Sequence, residues 1–196
     1  MISHLKNIHK FSDLAGHKVG TWKVGFSEIP HMIDKEQHLG IEWVQFINPL
    51  NLYISGAIDA TLAMSYNEFL KIRVAGHEDK PVIRFSETEY DYPEDGLYVS
   101  EDFYKLHPDK VKAFAEASRK GWEWAHEHPE ETLDIVMKWA ERENVHTNRI
   151  HQQWMLEQIL EIQCKDGEKK PSFQLDAAKF DKLNDLLLRY HRIHHA

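Results

Sequence analysis

The sequence predicts an α/β lobe with a parallel-rich sheet followed by a mainly helical part, and three observations carry that prediction. Short apolar runs alternate with helical segments as far as about residue 85, in the manner of parallel strands joined by crossover helices. Residues 87–96, with Tyr90, Tyr92, Pro93 and Asp95-Gly96, have turn chemistry and no sustained period, so they read as a loop. Beyond that loop, apolar residues recur at the helical period almost to the end.

The elements follow in order. His17–Lys23 reads as a strand, and Ser27 as the N-cap of a helix through Ile29, Met32 and Ile33. Ile41–Phe46 alternates with strand period, after which Asn48-Pro49 opens a helical turn that stops at Gly56. Ile58–Met64 is the next strand and runs into a helix that starts at Ser65 and ends at Gly76. Pro81–Phe85 and Leu97–Ser100 complete the expected strands. Between Pro108 and Glu127, Val111, Phe114, Ala115, Ser118, Trp122 and Ala125 share one helical face. Pro129 restarts the pattern with Leu133, Val136, Met137 and Ala140. A third helix carries Ile150, Trp154 and Ile159, and a fourth Phe180, Leu183, Leu187 and Tyr190. Lys165–Ser172 reads as a surface connection.

Composition narrows the function. The 196 residues have 42% hydrophobic content, ordinary for a folded chain with a real core. With 24 Lys and Arg against 32 Asp and Glu, the net charge is −8 and no basic run follows a surface, so nucleic acid is not expected as a partner. Cys164 is the only cysteine, which excludes an intrachain disulfide or a thiolate cluster. The 14 histidines raise the question of a metal. His191, His194 and His195 fall at i, i+3 and i+4 but at a fraying terminus, while His126 and His128 are two apart and cannot share a helix face. Neither a resident metal nor another cofactor is expected. The N-terminal stretch carries charge where a secretory signal would be apolar, and no apolar run reads as long enough to span a bilayer.

Several strings keep order and spacing over roughly residues 11–160. They are Asp13-Leu14-Ala15-Gly16-His17-Lys18-Val19-Gly20, Ser55-Gly56-Ala57-Ile58-Asp59-Ala60, and Leu97-Tyr98-Val99-Ser100-Glu101-Asp102-Phe103 with His107-Pro108-Asp109-Lys110-Val111. Ala117-Ser118-Arg119-Lys120-Gly121-Trp122, His128–Met137 and Thr147–Leu156 continue them. Together they resemble the substrate-binding proteins of ABC importers for sulfonates, nitrate, taurine and thiamine pyrimidine precursors. That resemblance implies a periplasmic-binding-protein-like lobe over residues 13–96, with residues 97–196 supplying a hinge strand and the C-terminal helices of a second, incomplete lobe. It also implies a periplasmic or cell-surface location, delivery of a small-molecule ligand to a membrane permease, and an N-terminal part lying upstream of Met1; expressed as written, without an export signal, the chain is expected to be cytoplasmic. Either a separate segment or self-association would then cover the helical face of Val111, Phe114 and Trp122.

In an open α/β lobe the ligand lies at the carboxyl ends of strands. Two places fit that rule. The first is Trp22, Lys23, Gly25, Phe26 and Ser27, where an indole offers a stacking face and a helix start offers N–H groups. The second is Ser65, Tyr66, Asn67 and Glu68, which joins an aromatic, an amide and a carboxylate. Such groups suit a neutral or cationic nitrogen heterocycle, pyrimidine-like or flavin-like, better than a small anion. Tyr90, Tyr92 and Asp95 are candidates for an aromatic wall near the hinge, and His151 and Trp154 for contacts from the other lobe. There is no Gly-x-Ser-x-Gly elbow, no phosphate loop and no cysteine in a nucleophile setting, so a binder is expected rather than an enzyme. The alternatives are an enzyme like the fungal thiamine-pyrimidine synthases, whose cysteine-rich signature has no counterpart at Glu94-Asp95-Gly96-Leu97-Tyr98, and a helical interaction module.

Overall fold

The computed structural model describes residues 1–23, 25, 27–46, 50–93, 95–164 and 171–194. The fold is mixed α/β, a mostly parallel sheet with many helices, as a periplasmic-binding-like lobe requires. It divides into two compact units, Met1–Glu94 with Asp176–Ala196, and Asp95–Leu175.

The first unit is built on a sheet of β1 (Ile2–Ser3), β2 (Lys18–Trp22), β3 (Glu42–Phe46) and β4 (Ala60–Thr61), in the order β1-β4-β2-β3. β2 is parallel to both neighbours, pairing Lys18 with Glu42 through to Trp22 with Phe46 on one side and Val19 with Ala60 on the other. Flanked by strands on both sides, it is buried through Val19, Gly20 and Thr21. Gly20 leaves room there for its neighbours, since a Cβ would stand 2.6 Å from both Ile58 Cδ1 and Phe46 Cε1 and force one of them to shift.

β1 runs antiparallel to β4, and on its other side a short ladder joins it to residues 81–83. The Met1 nitrogen donates to the Ile83 carbonyl at 2.8 Å, and Ile83 N returns a bond to the Met1 carbonyl at 3.0 Å. Pro81 has no N–H and serves only as an acceptor, from Ser3 N at 3.0 Å.

The sheet is accompanied by α1 (Glu28–Gln37), α2 (Leu50–Ile54) and α3 (Glu68–Val74). α1 buries Met32 and Ile33 and stops where His38 turns left-handed at φ 52°. One carboxylate fixes the following turn, since Asp34 accepts from the Trp43 indole at 2.7 Å and from Ile41 N at 3.3 Å. One side of the sheet carries the main apolar core of Ile8, Phe11, Leu14, Val19, Ile33, Ile41, Leu62 and Ile83.

The expected strands shrink in three places. Ile58–Met64 is strand only at Ala60–Thr61, because Met64 N is drawn away to the Glu68 carboxylate. Pro81–Phe85 contributes a single bridge at Val82, and Phe85–Glu87 winds into a 3-10 turn. Leu97–Ser100 is not a strand at all. Leu97 is 61% and Tyr98 84% exposed, and Ser100 instead caps α4 (Glu101–Leu106), its Oγ accepting from Phe103 N at 3.3 Å. The predicted turn at Asn48-Pro49 and most of the 165–172 connection lie outside the described residues.

The second unit contains α4, α5 (Pro108–Glu127), α6 (Pro129–Arg142) and α7 (Arg149–Ile162), close to the expected helices. Pro108 and Pro129 open α5 and α6 at first-turn positions, where their missing N–H costs no hydrogen bond. Arg149 joins α7 to α6 through Asp134 at 2.5 Å and Glu130 at 2.9 Å. Among the described residues of this unit only Ala125, Leu133 and His151 are buried, and Phe114 remains 64% exposed.

The last helix, α8 (Ala177–Arg189), belongs to the first unit. Lys179 pairs with Asp91, Lys182 donates to the Glu89 carbonyl at 2.7 Å, and Arg192 beyond the helix reaches Glu28 at 2.9 Å. No helix among the described residues is long and apolar enough to cross a membrane.

Candidate functional site

Parallel pairing of β2 with β4 brings the two expected ligand regions to the same end of the sheet. Gly20 lies opposite Thr61, so Trp22 and the Met64–Glu68 segment both follow the carboxyl ends of neighbouring strands. There the chain leaves the backbone ladder, and side chains and helix starts take over its hydrogen bonding.

Trp22 is half-buried and meets Phe46 edge to face, with ring centroids 5.4 Å apart. Its Nε1 is buried and has no hydrogen-bond partner among the described residues. A buried indole N–H is ordinarily paired, so this donor, like the neighbouring Thr21 Oγ1, is an unmet demand at the strand end. The turn after it contains Gly25 at φ 80°, a left-handed conformation that glycine adopts without strain. Ser27 holds the N-cap position of α1 and is 3% exposed, but its side chain makes no capping bond. Phe26 lies outside the described residues.

Across the edge, Tyr66 and Asn67 are half-buried while Glu68 is 7% exposed. The Glu68 carboxylate turns back on its own loop. One oxygen accepts from Met64 N at 3.1 Å and the other from Asn67 Nδ2 at 3.0 Å. Glu68 therefore closes the strand-to-helix turn, and its position in the first turn of α3 suits a negative charge. The sequence pattern shows that a carboxylate begins this helix; it does not show that the carboxylate is engaged from within.

The remaining candidates lie elsewhere. Tyr92 sits beneath Lys182, whose Nζ is 5.7 Å from the ring centroid, and the Tyr90 hydroxyl accepts from Gln37 Nε2 at 3.4 Å. Burial raises the pKa of both phenols above its ordinary value, so both hydroxyls keep their protons at neutral pH. The tyrosines are thus held by α8 and α1 within the first unit. Asp95, which is exposed, and Trp154, half-buried on α7, belong to the second unit.

Two polar clusters were not read from the sequence. His31 packs edge to face on Trp43 at 4.6 Å, next to Asp34, and burial depresses its pKa. His4, Tyr53 and His77 form a second aromatic group, in which the His4 and Tyr53 rings stack 4.1 Å apart. Their positions, 4, 53 and 77, are too far apart in the chain for any spacing to announce them.

The chain is thus an α/β protein in which an indole, a tyrosine and an amide follow the carboxyl ends of neighbouring parallel strands. The NMT1/THI5 like family model matches residues 1–132, and the chain belongs to that family. The family includes both solute-binding proteins of ABC importers and thiamine-pyrimidine synthases. No curated protein matches the chain.

Proposed function

We propose that the chain is a solute-capturing component of an ABC importer, working outside the cytoplasm and passing its ligand unchanged to a membrane permease. The ligand in this reading is a flat, neutral nitrogen heterocycle of the aminopyrimidine type. The single observation that carries it is the Trp22 indole at the carboxyl end of β2, whose buried N–H has no partner among the described residues. An aminopyrimidine offers ring nitrogens as acceptors for that N–H and a planar face for an aromatic neighbour.

The Glu68 geometry refines the ligand class. Because both carboxylate oxygens already accept bonds from Met64 and Asn67, Glu68 has little left to offer a cation. A neutral ring therefore fits better than a cationic one, and Tyr66 and Asn67 are the groups on this edge that remain candidates for contact. Family membership supports the binding theme, and the absence of any cysteine other than Cys164 weighs against a cysteine-rich synthase.

A thermal-shift panel of aminopyrimidine, flavin, taurine and nitrate tests the reading. A ligand at 100 times its Kd stabilises by about 2.7 kcal/mol, a readily measured rise in Tm. The aminopyrimidine should give that rise in the wild type and lose most of it in Trp22→Ala. Stabilisation by taurine or nitrate alone would replace the heterocycle with an anion. Iron-dependent consumption of a bound substrate would replace the binder with an enzyme.

A further inference from the structure

At the opposite end of the sheet from Trp22, His4 follows β1 and donates its backbone N–H to the Asp59 carbonyl at 2.8 Å, just before β4. Its Nε2 lies 2.7 Å from the Tyr53 carbonyl oxygen, which can only accept. The hydrogen is therefore on Nε2, and Nδ1 is left with a free lone pair. This arrangement, one ring nitrogen anchored to a backbone carbonyl and the other open, is how proteins orient a histidine that ligates a metal.

The second imidazole is already in place. His77, which follows α3, stands beside His4, its ring plane at 74° to that of His4 and the centroids 5.1 Å apart. Two imidazoles on one tetrahedral ion, with bonds of about 2.0–2.1 Å, stand with their centroids about 5 Å apart. His77 Nδ1 is buried without a hydrogen-bond partner among the described residues, as is the Tyr53 hydroxyl. Buried polar atoms are paired with protein, water or an ion, and here two neighbours in one cluster are not.

From this geometry we propose that His4 and His77 form a two-imidazole site for a divalent transition ion of the zinc or copper class, with water completing the coordination. No group of three or more metal-ligating side chains gathers among the described residues, so the site is an open one with exchangeable positions. Lys80 is the charged neighbour that opposes the ion. The site is independent of the heterocycle reading, because it lies at the amino-terminal end of β4 and uses none of the same residues.

The test uses the tag-free full chain, stripped with chelator and titrated with zinc by calorimetry and with copper by electron paramagnetic resonance. His77→Phe keeps an aromatic ring and should lower zinc affinity at least about tenfold, since losing a ligand costs no less than losing its outer-shell support. Copper hyperfine structure should fall from two nitrogens to one. Lys80→Met should strengthen zinc binding, while the double variant His191→Gln/His194→Gln should leave it unchanged. If His77→Phe folds poorly, the ring resonances of wild-type His4 and His77, followed by nitrogen-correlated NMR, should shift together with one equivalent of zinc. Unchanged affinity in a folded His77→Phe chain, or shifts confined to other histidines, would overturn the proposal.

Discussion

Replacing Glu68 with alanine removes the acceptors of two hydrogen bonds at a site that is 7% exposed. The main loss is at Met64 N, a backbone donor whose bond to the carboxylate is 3.1 Å long. A bond to a charged acceptor contributes about 1.5–3 kcal/mol, and a charge in the first turn of a helix adds about 0.3–1 kcal/mol. Glu68→Ala should therefore destabilise the first unit by about 2–4 kcal/mol, a large part of a typical domain's 5–15 kcal/mol. Glu68→Gln keeps an acceptor for Met64 N and should lose about half as much. Urea denaturation followed by circular dichroism measures both, with an unchanged m-value confirming that the unfolded state is the same. Ligand affinity should fall in Glu68→Ala whatever the ligand's charge, because the turn that presents Tyr66 and Asn67 is loosened. Loss of stability under about 0.5 kcal/mol in Glu68→Ala would refute this account of the carboxylate. So would a Glu68→Gln chain of full stability that had lost only cationic ligands.

Further consequences follow from the packing and the buried imidazoles. Gly20→Ala places a methyl 2.6 Å from Ile58 Cδ1 and Phe46 Cε1 and should cost about 1–3 kcal/mol by equilibrium denaturation. In the second unit, Leu133→Ala should cost about 2–5 kcal/mol because Leu133 is 1% exposed, whereas Phe114→Ala at 64% exposure should stay within about 0.5 kcal/mol. His31 and His77 both have pKa values held below the ordinary 6.5 by burial, so the unfolded chain binds their protons more readily. The stability they contribute is intact above pH 6.5 and is lost as pH falls through their folded values. Denaturation at pH 7.5 and 5.5 should show that loss, and the double variant His31→Phe/His77→Phe should flatten it.

What could be read in advance depended on whether the signal was local. β2 and the helices α5 to α8 were legible because one-faced periodicity and first-turn prolines are written in consecutive residues. β1 was not, since Ile2-Ser3 sits in a polar stretch and becomes a strand only by pairing with residues 60–61 and 82. Leu97–Ser100 failed in the opposite sense: it has the apolar character of a strand and no partner to pair with among the described residues. The return of α8 to the first unit rests on pairs such as Arg189 with Glu36, which no window of sequence contains.

The candidate site divides along the same line. The strand-end rule located Trp22 and the 65–68 segment from sequence alone, and parallel pairing brought them to one edge. The inward turn of Glu68 and the capture of Tyr92 by Lys182 depend on tertiary contacts, and both alter what the residue types alone implied.

In the proposed function a flat acceptor-bearing ligand is held at the carboxyl end of β2 by the Trp22 indole. Titrating an aminopyrimidine into nitrogen-labelled protein, with the Trp22 Nε1 resonance assigned through Trp22→Phe, tests it most directly. A saturable downfield shift of that one indole proton is expected as its hydrogen bond forms. Saturable binding that leaves the Trp22 resonance in place would contradict it.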